Sequence, residues 1–345
     1  MAARPDTALD LFAGPGGMTQ GFRTAGYKVV GAVEIDDLAV ETYEANHPGV
    51  PVFHNDIRSL SPTQSRRRLG LERYELGLLG GCPPCQGFSS TRTLNGSRRV
   101  RDPRNALMDV YCDWVEEFMP HALLLENVPA MQSDWRFAVF RRRLRSLGYE
   151  TRHSTATLNA SDYGVPQRRR RLVVVAARNR ILSLASAPRV PPRTVRDAIG
   201  KLPSAGSSGD PLHDMPERRS ETVRQLIALI PKDGGSRSAL PADKVLGCHR
   251  RSDGFSDVYG RMAWDRPAPT ITGGCFNPSK GRFLHPLENR AITLREAALL
   301  QGFAPDYTFS LRRGKEAAAG MIGNALPPPF VAAQASHILA SMACH

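Results

Sequence analysis

Thr7–Gly14 reads TALDLFAG and runs directly into Pro15–Gly26, PGGMTQGFRTAG. The first segment is a short apolar run closed by a glycine. The second has helical spacing and stops at Gly26. A strand that turns into a helix at a glycine opens a βα unit, and the alternation continues downstream. KVVGAVEID (Lys28–Asp36), VFHNDI (Val52–Ile57), YELGLLGG (Tyr74–Gly81) and HALLLENV (His121–Val128) read as further strands. DLAVETYEANHP (Asp37–Pro48), NALMDVYCDWVEEFM (Asn105–Met119) and FAVFRRRLRSLG (Phe137–Gly148) carry helical patterns. YETRHSTATL (Tyr149–Leu158) and RLVVVAA (Arg171–Ala177) look like a closing strand pair. The pattern predicts an α/β fold, a doubly wound, mostly parallel Rossmann-like sheet covered on both faces. Ligands of such sheets sit at the carboxyl ends of the strands.

Beyond about Arg180 the texture changes. Residues 179–256 are rich in Pro, Gly, Ser and Arg, with one helical stretch near Glu221–Ile230. A smaller, irregular domain is expected there. Order returns with RPAPTITGG (Arg266–Gly274) and TLREAALLQGF (Thr293–Phe303), and GNALPPPFVAAQASHILASM reads as a Pro-initiated, core-packed helix. The chain carries 46 Lys and Arg against 33 Asp and Glu, a formal charge of +13, which points to a polyanionic partner. Arginines bunch at 66–68, 98–104, 141–145 and 168–171. The third bunch lies on a helical pattern and serves equally as a solvated face; the second lies in a stretch without apolar period. Six cysteines in 345 residues do not make a disulfide scaffold. No apolar run approaches the ~20 residues that span a bilayer, and MAARPDTALDLF lacks a secretory core. The expectation is a reduced, cytoplasmic protein without a membrane partner.

The glycine turn breaks the dinucleotide fingerprint: Gly14, Gly16 and Gly17 are followed by Thr19 where a third glycine would stand. Tight helix packing explains such a turn equally well. Two acids add weight. Glu34 ends the second strand about 20 residues after Gly14, where such folds place an acid on ribose hydroxyls, and Asp56 ends the third. With neither a Walker lysine nor a pyrophosphate fingerprint, the expected cofactor is a nucleoside without polyphosphate. S-adenosylmethionine fits.

Gly80–Ser90, GGCPPCQGFSS, places Cys82 and Cys85 three apart. A structural zinc needs four ligands, and the adjacent Cys248 and His249 chelate one tetrahedral ion poorly, so no metal is expected. A dithiol redox pair usually begins a helix, whereas here prolines precede Cys85 and Gly-Phe-Ser-Ser follows. The remaining reading is a single nucleophile, Cys85, with Cys82 a small packed residue.

DLFAGPGG, GGCPPCQGFS, LLLENVPAM, YGVPQRRRRLVVVA, TLREAALLQGF and IGNALPPP occur in that order. In them the chain resembles the bacterial DNA (cytosine-5)-methyltransferases, over most of its length outside about residues 180–259. The resemblance implies a class I S-adenosylmethionine-dependent methyltransferase. Residues 1–180 would form the catalytic and cofactor-binding domain, 181–310 the target-recognition domain and hinge, and 311–345 a C-terminal helix packing back on the first domain. It implies methyl transfer to C5 of a flipped-out cytosine in a specific duplex DNA sequence through a covalent Cys–C6 intermediate. Cys85 matches the nucleophile, Glu126 the acid at N3, and Arg169 and Arg171, alternate residues on one strand face, the arginines beside base and thiol. Arg168 and Arg170 would remain a solvated edge. Cofactor contacts carry over to Phe12, Gly14, Gly16, Glu34, Asp56, Ile57, Pro84, Leu107 and Asn324. A loop over 86–104 would close on the DNA, with Ser89, Arg98, Arg99 and Arg101 as phosphate contacts; an exposed polar loop explains these four equally well. The implied partners are duplex DNA, bound by a monomer, and a functionally paired restriction endonuclease.

A tRNA-acting branch that shares the fold is the alternative, since Cys275-Phe276-Asn277 is similar to a segment of that branch. Gly87-Phe88-Ser89 and the arginine-rich recognition region favour DNA. A non-catalytic relative should have lost Cys85, Glu126, Glu34 or Asp56. The broken fingerprint argues against a nucleotide-dependent oxidoreductase.

Overall fold

A computed structural model describes residues 4–84, 107–241 and 257–343. Seven strands, β1 (Arg4–Leu11), β2 (Lys28–Glu34), β3 (Val52–His54), β4 (Leu76–Gly81), β5 (Ala122–Asn127), β6 (Thr155–Asn159) and β7 (Arg170–Ala177), form one sheet in the order β3-β2-β1-β4-β5-β7-β6. The first five pair in parallel; β7 runs antiparallel to β5 and β6. The class I methyltransferase architecture expected from the sequence is therefore present. The chain leaves β1 towards β2 and β3, then returns to β4 on the other side of β1. The order reverses between β1 and β4, where doubly wound sheets hold their ligands.

Sequence explains the layers. LGLLGG of β4 and ALLLEN of β5 are buried along their whole lengths, as strands covered on both faces require. Gly80 has a steric reason: a Cβ there would lie 2.4 Å from the Phe22 ring and 2.6 Å from the Met18 sulfur. Helix α1 (Gly17–Thr24) thus sits directly on β4. The C-terminal helix Pro328–Ala343 covers α1 in turn, so closely that a Cβ on Gly21 would fall 2.4 Å from Val331 Cβ. On the other face the Leu107–Phe118 helix drives Tyr111, Trp114 and Phe118 into the core, with Trp114 stacked on Phe118 at 5.6 Å.

RPAPTITGG is ordered but makes only one isolated bridge, Ala268 to Gln167, since Pro267 and Pro269 have no N–H for a ladder. One expected segment differs. Only the end of Tyr149–Leu158 is a strand, β6 starting at Thr155.

The chain divides into two compact units. One comprises residues 1–163, 170–188 and 326–345; the other comprises 164–169 and 189–325. The second has its own apolar core, including Leu226, Ile227, Ile230, Val258, Tyr259 and Leu284. Its fully buried Arg261 donates to the carbonyls of Ile227, Ile230 and His285 at 2.8–3.0 Å. Its Glu221–Leu229 helix stands where the sequence predicts one.

Candidate active site

Register gathers the site within the first unit. Leu11 of β1 lies opposite Val33 of β2 and Gly81 of β4, and Gly81 lies opposite Leu125 of β5. Phe12, Glu34, Cys82 and Glu126, each one residue further, therefore arrive along a single sheet edge.

At the β1 end the backbone turns sharply. Phe12, Gly14 and Gly16 all adopt positive φ, at 62°, 55° and 98°. For the glycines this costs nothing; for half-buried Phe12 it is a strained conformation of the kind that collects at functional sites. The Glu34 carboxylate holds the turn in place. One oxygen accepts from Gly14 N–H at 2.7 Å, and the other accepts from Ile35 and Asp36 N–H at 2.8 Å each. Ile35 beside it is 61% exposed, an apolar face at a strand end that sequence reading missed. The signal was available: an isoleucine between two acids and a helix cap.

Asp56 caps the turn Ile57–Ser59 and is clasped by the Arg58 guanidinium, which with the backbone N–H of Arg58 holds its carboxyl below the usual range. Ile57 and Leu107 point into the core rather than outward. Pro84 is exposed at the end of the described β4 loop. Asn324 is exposed and belongs to the second unit.

Beneath the glycine turn lies a polar core. Asp10 is fully buried, and its Oδ2 accepts from Thr19 Oγ1 at 2.7 Å; Thr19 Oγ1 is in turn 2.8 Å from the Tyr43 hydroxyl. Thr19 stands in the third glycine position of the fingerprint because its hydroxyl has this work to do. Burial, aided by the charge of Glu34, pushes the Asp10 carboxyl up to about 7.

At the β5 end, buried Glu126 is held from two sides. Arg171 Nε lies 2.8 Å from Oε1, and Cys82 Sγ donates to Oε2 at 3.2 Å. Asn127 donates to the Pro83 carbonyl at 3.2 Å and accepts from Val128 N–H at 2.8 Å, tying the end of β5 to the Pro-Pro turn. Cys82 is not the packed bystander expected from sequence; it is partly exposed and touches the carboxylate.

The arginines separate. Arg171 lies on β7, but Arg169 precedes the strand and falls in the second unit, where it is buried and donates to the Ile271 carbonyl at 3.0 Å. The expectation of alternate arginines on one strand face is corrected accordingly. Arg168 and Arg170 are exposed. Cys85, Ser89, Arg98, Arg99 and Arg101 lie outside the described residues. Cys275 is buried, and burial pushes its thiol up to about 12, far from thiolate chemistry. Among the described residues no group of three or more His, Cys, Asp or Glu side chains could hold a metal ion, and no helix is long and apolar enough to cross a membrane.

Comparison with known proteins agrees with this geometry. The chain is 34% identical to the Type II methylase M.HgiDII of Herpetosiphon aurantiacus, over 92% of its own length and 91% of the relative's. It is 32% identical to the Type II methyltransferase M1.HphI of Haemophilus parahaemolyticus, over 96% and 86%. Among solved structures, a prophage-encoded E. coli protein described as a DNA modification methyltransferase superposes with a TM-score of 0.70 at 26% identity, covering 96% of this chain and 97% of the other. The profile of the C-5 cytosine-specific DNA methylases matches residues 7–340. With a seven-stranded sheet of that architecture and a match over nearly its whole length, the chain belongs to the C-5 cytosine-specific DNA methylase family and is a DNA (cytosine-5)-methyltransferase.

Proposed function

We propose that the chain methylates C5 of a cytosine flipped out of a specific duplex DNA sequence, through a covalent bond between Cys85 and C6. The observation that carries this reading is Glu126. It stands at the end of β5, gripped by Arg171, on the strand adjoining the one that leads into Pro83-Pro84-Cys85. Family and fold use S-adenosylmethionine, and the residues present fit it. A Cβ on Gly14 would meet nothing within 4 Å, so the turn is open to a ligand. Glu34 and Asp56 offer carboxylates for ribose and adenine, and exposed Ile35 and strained Phe12 offer apolar surface to the base. Bound there, the cofactor supplies the electrophilic methyl of its sulfonium.

The chain's residues do the rest. The target atom is stacked inside a duplex, so the base must leave the helix to be reached. The Cys85 thiolate bonds to C6 and converts the ring to an enamine, which makes C5 nucleophilic. Glu126, in its protonated form, gives a proton to N3 as charge develops and takes it back when Cys85 leaves, help worth about 10²–10⁴-fold. Arg171 fixes that carboxyl and favours anionic character nearby. Once C5 carries its methyl group, a base takes the C5 proton, C5=C6 re-forms, and Cys85 leaves as thiolate. We further propose that the enzyme acts as a monomer and that it is paired with a restriction endonuclease; the Type II names of its relatives support the pairing. Duplex DNA is favoured over tRNA because the matching family is that of the C-5 cytosine-specific DNA methylases.

A duplex carrying 5-fluorocytosine at the target tests the chemistry. Fluorine cannot leave as a cation, so elimination stalls after methyl transfer. A denaturation-resistant band should form only with S-adenosylmethionine, vanish in Cys85→Ser and survive in Cys82→Ser. A chelator-sensitive band, or one lost equally in both variants, overturns the single-nucleophile mechanism. Bisulfite sequencing of DNA from expressing cells supplies the target sequence.

A further inference from the structure

The reading above leaves Cys82 without a task, yet its thiol meets the acid. Both oxygens of Glu126 are engaged, Oε1 by the Arg171 guanidinium at 2.8 Å and Oε2 by Cys82 Sγ at 3.2 Å. These donors are unequal. A guanidinium hydrogen bond to carboxylate is among the strong ones, and a thiol is a weak donor. An acid that must engage N3 of an incoming base needs one oxygen fixed and one that can be surrendered. We propose that Cys82 is a positioning residue for Glu126: its thiol holds Oε2 in the resting site, sets the carboxyl plane against Arg171, and yields that oxygen to the base.

The placement is built into the strands. Gly81 and Leu125 are register partners on the parallel β4–β5 pair, which brings Cys82 and Glu126 side by side as the next residues. The β4 end is pinned by Cys82 N–H to the Leu11 carbonyl and by Asn127 to the Pro83 carbonyl. The thiol cannot drift far from the carboxylate while those bonds stand. A serine would keep a donor on the same Cβ; an alanine would remove it.

The inference rests on the proposed role of Glu126, so Glu126→Gln is measured alongside. With purified full-length enzyme and a duplex substrate, Cys82→Ala should lower kcat about tenfold, the size expected for losing one hydrogen bond to a charged group. KM for DNA and Kd for S-adenosylmethionine should stay within about twofold. Cys82→Ser should recover kcat to within about threefold of the parent. Should Cys82→Ala melt early, Cys82→Gly removes the same donor and is compared with Cys82→Ser instead. Cofactor-free release of tritium from C5-labelled cytosine, which reads addition and protonation without methyl transfer, should fall by the same factor as kcat. Unchanged kcat in Cys82→Ala, or equal deficits in the Ala and Ser variants, overturns the positioning role while an inactive Glu126→Gln leaves the acid assignment standing. Full activity in Glu126→Gln overturns the acid assignment itself.

Discussion

Asp10 shows what a single residue contributes beneath the glycine turn. Its carboxyl is fully buried, and Thr19 and Tyr43 form the polar chain around it. With the folded-state value near 7 and the usual carboxylate value near 4, the folded state keeps the proton between those pH values while the unfolded state releases it. Stability must therefore fall as pH rises from about 4 to 7, by on the order of 4 kcal/mol, and level off above. Asp10→Asn cannot ionise, so urea denaturation at pH 5 and pH 8 should show a much smaller difference in the variant than in the parent. An equal difference would place the pH dependence elsewhere. The sequence displayed Asp10 and Thr19 plainly, but only as a strand residue and a missing glycine. Their joint role needed the third dimension, because Tyr43 reaches them from 24 positions away.

At the scale of elements, the strands and the doubly wound class were legible because parallel strands buried on both faces are written as apolar runs, as in LGLLGG and ALLLEN. Acids and glycines at strand ends were legible for the same reason: they interrupt those runs. The arginine cluster was not. Four consecutive arginines have no periodicity, and nothing in RRRR says that β7 starts at Arg170 or that Arg169 turns to the Ile271 carbonyl. Cys82 was misread because its partner lies 44 residues away on another strand. Packing of α1 on β4 gives a prediction at this scale. Gly80→Ala puts a methyl group 2.4 Å from the Phe22 ring and 2.6 Å from the Met18 sulfur. Overpacking of this kind costs about 1–3 kcal/mol. Because α1 begins at the glycine turn, the variant should also bind S-adenosylmethionine more weakly in calorimetry, whereas unaltered stability would mean that α1 can shift.

For the molecule as a whole, the +13 charge is not all available to DNA. Arg66 is tied to Glu117 at 2.8 Å, and Arg143 spans Asp113 and Glu116 at 2.7 and 2.8 Å. Arg168 and Arg170 remain exposed, and Arg98, Arg99 and Arg101 complete the basic candidates. Log affinity for duplex DNA should fall with log salt at about −0.9 per phosphate neutralised. Replacing Arg98, Arg99 and Arg101 by alanine should flatten the slope by about that amount for each arginine that meets a phosphate. A slope that does not change identifies those side chains as a solvated face. The covering of α1 by the Pro328–Ala343 helix has a consequence for biosynthesis. Gly21 and Val331, in contact when folded, leave the ribosome about 310 residues apart. At about 5–20 residues per second that interval lasts roughly 15–60 s. Throughout it the helix under the glycine turn has one face bare, so, with the methyl donor held at that turn as proposed, a polypeptide terminated before Val331 is denied a finished donor site.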